Sequence, residues 1–481
     1  MIKKIKKLGK KCLYRLTECV KIREKEIEFD RKLARGMAQD THYALPDDAP
    51  LTAQQKAEID AFWGKYAFAF KPPYSTFQAY MNRNDRFDPR YVPYGVQHHC
   101  FNPHMRDRSY MFAFQNKAYL QRVYLGIKQP VVICRKVEGI YYDDQFEQID
   151  EAQAAALCLK RLERTEIVIK PSGLCGGKGV VFLREATEAQ IRAEFAQIPK
   201  TMVVQEAVRQ HPQMAALNPS TVNTVRLTTY LKGSEVVPLA ALVKVGSPNM
   251  RVDNYKHGGH LLGVYMDGTT NKYALSVDLK KVKVLPTGVD LSEGMQIPGF
   301  DNVLKTAKRA HLMTPQTKII SWDIAIDESA EAVIIEANHG GDLRMHHAVT
   351  GPLFGEMTQE VLDDYLLKRF CRERCTWNYN YNEYCDHVEI TKYAGLSKTA
   401  VVPAQMNGKP VTVIAKKAFA DNGRLQCVKL PESIVRVEEQ AFSGCAALTE
   451  IACAKAPAET AANACAGSAK VTAQSKKSLG L

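Results

Sequence analysis

Nowhere in the 481 residues does an apolar run reach the roughly 18 residues a membrane-spanning helix requires, so no segment is expected to cross a bilayer. The basic start is not followed by seven or more consecutive apolar residues, which excludes a secretory signal peptide. Cysteines number 13, an odd count without regular spacing, which argues against a disulfide framework and fits reduced thiols in a cytoplasm. Cys371, Cys375, Cys385 and His387 cluster, but without the two-residue spacing of a zinc knuckle, and read better as incidental cysteines. Tyr14 is the single aromatic of residues 1–25, so that segment lacks the stacking surface of a sequence-selective nucleic-acid binder.

What the chain does have is an uneven charge. Lys and Arg total 65 against 52 Asp and Glu, a formal +13. Residues 1–25 hold ten bases and two acids, so +8 of that excess sits in one short arm and the remainder is nearly balanced. No nucleic-acid partner is expected. Ile2, Ile5, Leu8, Cys12, Leu13 and Leu16 recur there at three- and four-residue intervals, the spacing of a helix with one apolar stripe and a basic face. Such a helix either lies on an anionic membrane surface, peripheral to the cytoplasm, or packs its stripe on its own domain.

Beyond the arm, helical spacing covers 53–66 (after Thr52 as a cap), 117–125, 150–162 and 301–312. Strand-like runs cover 131–135, 167–170, 180–183, 202–205, 224–230, 240–245, 319–326 and 332–337. Residues 67–110 carry no clear period. The mixture argues an α+β enzyme core. The expected boundaries are 1–45 for the arm and 46–370 for the core, with lobes at about 110–205 and 206–370. A linker at 371–400 and a repeat at 401–478 follow. In the repeat, Ile414, Ala418, Phe419, Leu425 and Val428 return 23 residues later as Val437, Ala441, Phe442, Leu448 and Ile451. A fixed period in the twenties marks a leucine-rich solenoid. It resembles the BspA-type repeat through Ala441-Phe442-Ser443-Gly444-Cys445, with a degenerate copy at Ala464-Cys465-Ala466-Gly467-Ser468. So few turns are expected to lean on the core or on a protein partner, or to be a remnant.

Three constellations carry chemistry. The first is Ile169-Lys170-Pro171 followed by Gly176-Gly177-Lys178-Gly179 and an apolar strand. It has neither the spacing nor the following helix of a Walker loop. It reads as a flexible flap whose glycines let backbone N–H groups approach phosphate, or as a plain hairpin. The second is Trp322-Asp323-Ile324-Ala325-Ile326, a turn, and Ile335-Glu336-Ala337-Asn338. Residues two apart share a strand face, so Glu336 and Asn338 point together and Asp323 joins them if the strands pair, giving hard oxygen ligands for Mg²⁺. The third runs Val204-Gln205-Glu206-Ala207-Val208, His211, then Asn218 to Arg226, a strand and loop able to hold an adenine edge before a strand bearing an arginine.

In this order the motifs resemble the ATP-grasp superfamily, in its sugar-transfer-associated, α-L-glutamate ligase-related branch. Asn218-Pro219-Ser220-Thr221-Val222-Asn223-Thr224-Val225-Arg226, Val252-Asp253-Asn254 with Gly258-Gly259, Pro298-Gly299-Phe300 and Trp322-Asp323-Ile324-Ala325 carry the likeness over about residues 110–355. The resemblance implies an ATP-grasp fold, two α+β subdomains gripping ATP, with the arm and repeat appended. It implies an ADP-producing carboxylate–amine ligase acting through an acyl phosphate, with ATP and two Mg²⁺ ions. Lys117, Lys170, Gly176, Gly177, Lys178, Gly179, Gln205, Glu206, Val208 and His211 would bind ATP. Arg226 and Lys178 would stabilise the transferred phosphoryl group, and Asp323, Glu336 and Asn338 would hold metal. Asp253, Asn254 and Arg344 would meet a small-molecule or sugar-linked carboxylate or the amine acceptor, in tailoring of a cell-surface polysaccharide or related precursor. His339, His346 and His347 read as polar lining or, alternatively, as zinc ligands. The competing functions are a kinase on the same site and a non-catalytic protein acting through its repeat.

Overall fold

A computed structural model describes residues 27–66, 71–173, 177–248, 250–252, 255, 258–340, 342–370, 378–395 and 397–481. The basic arm at 1–25 lies outside them. The chain divides into two units, residues 36–361 and residues 1–35 with 362–481.

The first sheet of the 36–361 unit comprises β1 (Val132–Val137), β2 (Ile140–Asp143), β3 (Gln148–Ile149), β4 (Ile167–Pro171), β5 (Val181–Leu183) and β6 (Met202–Glu206). It is antiparallel, in the order β3-β2-β1-β6-β4-β5. Helices Glu151–Leu162 and Glu188–Gln197 cover one face, each started by a capping box. Asp150 with Gln153, and Thr187 with Gln190, satisfy orphan N–H groups reciprocally, each cap contributing about 1 kcal/mol. Thr52 and Gln55 do the same for helix Ala53–Trp63, where the sequence places a cap.

The second sheet holds β7 (Thr224–Lys232), β8 (Glu235–Val245), β9 (His260–Val264), β10 (Thr270–Ser276), β11 (Lys281–Val282), β12 (Ile319–Ile326) and β13 (Ala332–Asn338). Its order is β11-β10-β9-β8-β7-β12-β13, all antiparallel. Strands β9 to β11 escape the sequence reading because their apolar runs are short and interrupted by turns. Alternation sends Val225, Leu227, Ile320, Trp322 and Ile324 to one face, where they pack with Val303, Ala307 and Ala310 of helix Phe300–Leu312. Helix Arg344–Thr350 lies against β8 and β9 and against helix Tyr74–Asn84.

The unit begins earlier than residue 46. Asp40, in the turn Gln39–Tyr43, is fully buried and accepts from Tyr80 Oη at 2.7 Å, Thr76 Oγ1 at 3.0 Å and Tyr94 N at 3.1 Å. These donors belong to the stretch that shows no period, because its helices are short and its core is built of Tyr and Phe rather than an aliphatic stripe.

Besides His260 on β9, four histidines are almost wholly enclosed in this interior. His311 Nε2 donates to Thr317 O at 2.9 Å and its Nδ1 accepts from Thr229 Oγ1 at 2.7 Å, and His339 lies between Thr317 Oγ1 (2.9 Å) and Tyr124 Oη (3.1 Å). His346 meets Thr228 Oγ1 at 2.9 Å, and His347 packs between the rings of Tyr80 and Tyr91. Burial lowers His311 and His347 to about 4 and His339 and His346 to about 3, so all four are neutral in the fold.

In the other unit, β14 (Tyr379–Glu383) and β15 (Val388–Tyr393) form a hairpin inside the interval expected to be a linker. Buried Val388, Ile390 and Tyr393 give them an apolar face, which is why they fold onto the repeat instead of tethering it. Then come β16 (Thr399–Val401), β17 (Gln405–Met406), β18 (Lys409–Ile414), β19 (Cys427–Leu430), β20 (Arg436–Val437), β21 (Glu450–Cys453) and β22 (Glu459–Thr460). Parallel ladders β15-β18-β20-β22 and β16-β19-β21 run side by side. Val413 pairs with Arg436 and Val428 with Ile451, so the 23-residue displacement of the sequence is the offset between stacked strands. Phe419 and Phe442 stack at 5.2 Å. Gly444, at φ +68, is required where a Cβ would lie 2.5 Å from Asp421 Oδ1. The stack carries its own ends: the hairpin covers one, and helix Ala473–Ser478 covers the other, with Ser475 Oγ accepting from Ile451 N at 3.0 Å as a further strand would.

Phe442→Ala is expected to cost about 3–5 kcal/mol, seen as a lower urea midpoint for the repeat-containing unit. Acid is expected to destabilise the 36–361 unit through its histidines. Their folded values lie below the unfolded value near 6.5, so between about pH 6.5 and 4 the unfolded chain binds the extra protons. Stability is complete above that window and falls through it by up to about 1.4 kcal/mol per histidine per pH unit. Urea midpoints measured across the window check this, and a flat profile contradicts it.

Candidate functional site

Opposite the core face of the second sheet, a charged row crosses four adjacent strands. Arg226 of β7 stands in register with Asp323 of β12, and Asp323 with Glu336 of β13. Lys244 of β8 pairs with Thr224, two residues from Arg226, and so shares that face. Arg226 donates to both oxygens of Asp323, Nε to Oδ1 at 2.8 Å and Nη2 to Oδ2 at 2.7 Å. Lys244 Nζ lies 3.2 Å from Oδ2, and Asn338 Nδ2 donates to the same oxygen at 3.1 Å. Burial alone would raise the Asp323 carboxyl. Arg226 and Lys244 outweigh it and hold the group well below the usual carboxylate range.

A bulge decides what faces the adjoining cavities. Asp323 pairs with Glu336 but Ile324 with Ile334, leaving Ile335 as the extra residue of β13. Neighbours on a regular strand face opposite ways, yet here Ile335 and Glu336 both line one cavity. That cavity, about 140 Å³, is mostly apolar: Val168, Val180, Phe182, Ala207, Val208, Val222, Val252 and Ile335 surround the charged Lys117, Lys170, Glu206, Arg251 and Glu336. A larger one, about 810 Å³, shares Lys117, Pro171 and Glu336 with it and adds Asn116, Ser172, Gly179, Lys200 and Asn338. Both lie between the two sheets.

The structure brings together Lys117, Lys170, Gly177, Glu206, Val208 and Glu336 around the first cavity, and Gly179 and Asn338 around the second. Lys170 donates to Gln205 Oε1 at 3.0 Å, which aims the ammonium along the edge of β6. Lys117 Nζ lies 2.9 Å from Glu336 Oε1. Glu206 is also paired with Arg161. Gly177, at φ +74, allows the flap to press on Val252, whose side chain lies 2.9–3.0 Å from where a Cβ would be.

Other expected residues are placed elsewhere. Arg226 and Asp323 line neither cavity, because each is engaged by the other within the sheet. Lys178 is exposed and lines neither. His211 caps helix Pro212–Leu217, accepting from Gln213 N at 3.3 Å, and is not in the cavity wall. Arg344 is clasped by Asp342 and donates to Gln39 O at 3.1 Å. Gly176, Asp253 and Asn254 lie outside the described residues, as do Cys371 and Cys375. Among the described residues no group of three His, Cys, Asp or Glu could hold a metal, and His339, His346 and His347 have the interior partners given above. Lys244 belongs to this region but escapes motif reading. It sits in an apolar run where only the cross-strand register reveals its partner; Arg251, in the cavity wall, stacks 4.4 Å from the Phe182 ring and pairs with Glu166.

No helix among the described residues is long and apolar enough to cross a membrane. None of the curated proteins matches the chain. Among solved structures it is similar to a leucine-rich repeat protein of T. pallidum, at 30% identity over 20% of this chain and 45% of that one, with a TM-score of 0.18. It thus spans less than half of that protein's length. It is similar to the ATP-grasp ligase PsnB complexed with minimal precursor, at 12% identity, covering 64% of this chain and 75% of that one, with a TM-score of 0.32. D-alanine–D-alanine ligase from Bacillus anthracis gives 13% identity, 54% and 68% coverage and a TM-score of 0.30. The model of the sugar-transfer associated ATP-grasp domain matches residues 97–361, more than half of the chain and the same stretch that builds both sheets and the charged row between them, and the chain belongs to that family.

Proposed function

We propose that this protein is an ATP- and Mg²⁺-dependent ligase that joins a carboxylate to an amine. The observation that carries the reading is the convergence of Lys117, Lys170 and the flap glycine Gly177 with Glu336 on one cavity walled by apolar side chains. When bound, ATP supplies a γ-phosphoryl group that activates a carboxylate as an acyl phosphate for attack by an amine, and Mg²⁺ neutralises the phosphate charge. The residues fit both. Val168, Phe182, Val208 and Val222 offer an apolar slot to a planar base, and Glu206 to Val208 edge it. Lys117 and Lys170 are positioned to neutralise phosphate oxygens, and such chemistry needs positioning and charge rather than a protein nucleophile.

Glu336 and Asn338, two apart on β13, would hold Mg²⁺ with hard oxygen ligands at the wall of the larger cavity. Asn338 turns its amide nitrogen to Asp323, which leaves the side-chain oxygen as its ligand atom. Asp323 stands behind them and orients Asn338 and Arg226. The larger cavity is the place for the carboxylate and amine, with a sugar-linked precursor as the substrate class.

Release of ADP that requires a carboxylate and an amine together is the expected signature, and release that ignores the amine contradicts the ligase reading. Lys170→Ala and Glu336→Gln are each expected to lower that turnover on the order of a hundredfold or more, and undiminished turnover in both overturns the site assignment.

A further inference from the structure

Helix Phe300–Leu312 buries Val303, Ala307 and Ala310 against the second sheet and turns another stripe to solvent. That stripe is Lys305, Lys308, Arg309, Leu312 and Met313, all exposed, at the i, i+3, i+4, i+7, i+8 spacing of one helix face. Its cations thus run into two apolar side chains, Leu312 at 54% and Met313 at 38% exposure. The turn after helix Leu120–Val123 lies alongside. Tyr124 anchors it, with its ring 5.3 Å from Trp322 and its hydroxyl 3.5 Å from Thr314 Oγ1. A Cβ at Gly126 would stand 3.3 Å from Arg309 Nη2. Both neighbours of Leu125 therefore touch the end of the helix, and Leu125 itself is 72% exposed.

Scattered exposed apolar residues are ordinary, but large ones gathered in one place on a surface mark a contact. The charge here names its kind. Residues 302–318 hold Lys305, Lys308, Arg309 and Lys318 with no Asp or Glu, and residues 118–127 hold Arg122 with none. Apolar side chains beside cations of one sign are complementary to an anionic bilayer, whose acyl boundary takes the first and whose phosphates take the second. We propose that this face, the outer stripe of the helix together with Leu125, docks the 36–361 unit on an anionic lipid surface. It is a surface of the folded unit, distinct from the basic arm, and it stands whether or not the nucleotide reading holds.

Co-sedimentation of the full chain with vesicles tests this. The wild type is expected to bind phosphatidylglycerol–phosphatidylcholine vesicles at least roughly tenfold more tightly than phosphatidylcholine alone, and less tightly at high salt. Leu125→Ser with Leu312→Ser, and Lys308→Gln with Arg309→Gln, are each expected to weaken anionic-vesicle binding roughly tenfold. Circular dichroism confirms that each variant is folded. Leu125→Trp reads the patch directly: its added fluorescence is expected to shift to the blue on anionic vesicles and to be quenched by brominated acyl chains. A wild type that binds no vesicles, unchanged affinity in both double variants, or an unshifted Leu125→Trp overturns the proposal. Self-association of the wild type that Leu125→Ser with Leu312→Ser abolishes, seen by sedimentation velocity without vesicle binding, overturns it in favour of a protein contact.

Discussion

The bidentate pair between Arg226 and the buried Asp323 is the interaction on which the charged row depends. A carboxylate taken out of water within a seven-stranded sheet is tolerated only with its lone pairs satisfied and its charge matched. Arg226, Lys244 and Asn338 together do this, from three different strands. The register of β8, β7, β12 and β13 is thereby tied to electrostatics on one face and to packing around Trp322 on the other. A one-residue slip of β12 would bury Asp323 among Val303 and Ala307 and expose Trp322, so both faces select the same pairing.

From that fixed row, the bulge at Ile335 turns the last strand toward the first sheet. It allows one apolar and one acidic neighbour to share a cavity wall, and Glu336 thereby meets Lys117, which comes from a turn on the far side of the cleft. The site is consequently a meeting of two sheets, each stabilised by its own core, with polar chemistry confined to the faces between them. Thr228, Ser321 and His346 continue the polar face inward by mutual hydrogen bonds, so that the helix following β13 is seated without an unpaired charge.

The repeat obeys a different constraint. Parallel strands 23 residues apart stack identical positions on one another, so Phe419 meets Phe442 and Val428 meets Ile451. In the degenerate copy Cys465 stands where a third phenylalanine would, and Ser468, 23 residues after Cys445, ties the copies together: its hydroxyl donates to Phe442 O at 2.6 Å and accepts from Cys445 N at 2.9 Å. A hairpin and a short helix close the ends, which explains how two and a half copies can hold a core.

Much of this was legible in the amino acids alone. Periodicity placed the central strands and the helices at 150–162 and 301–312, each within a residue of its observed start, and the two-residue spacing of Glu336 and Asn338 put them on one face. A capping residue, Thr52, announced one helix start. The period of 23 was itself the stacking offset. These features are local, and local sequence carries them because backbone geometry repeats every 2.0 or 3.6 residues. What only the tertiary structure decided is who partners whom across long separations. That Lys244, hidden in an apolar strand, reaches Asp323, and that Arg226 spends Nε and Nη2 there and lines neither cavity, follow from strand register. Side-chain charge is written in the sequence; whether it faces a cavity or another charge is set by the packing of strands that the chain brings together from 80 to 220 residues apart, as the separations of 97 for Arg226–Asp323 and 219 for Lys117–Glu336 show.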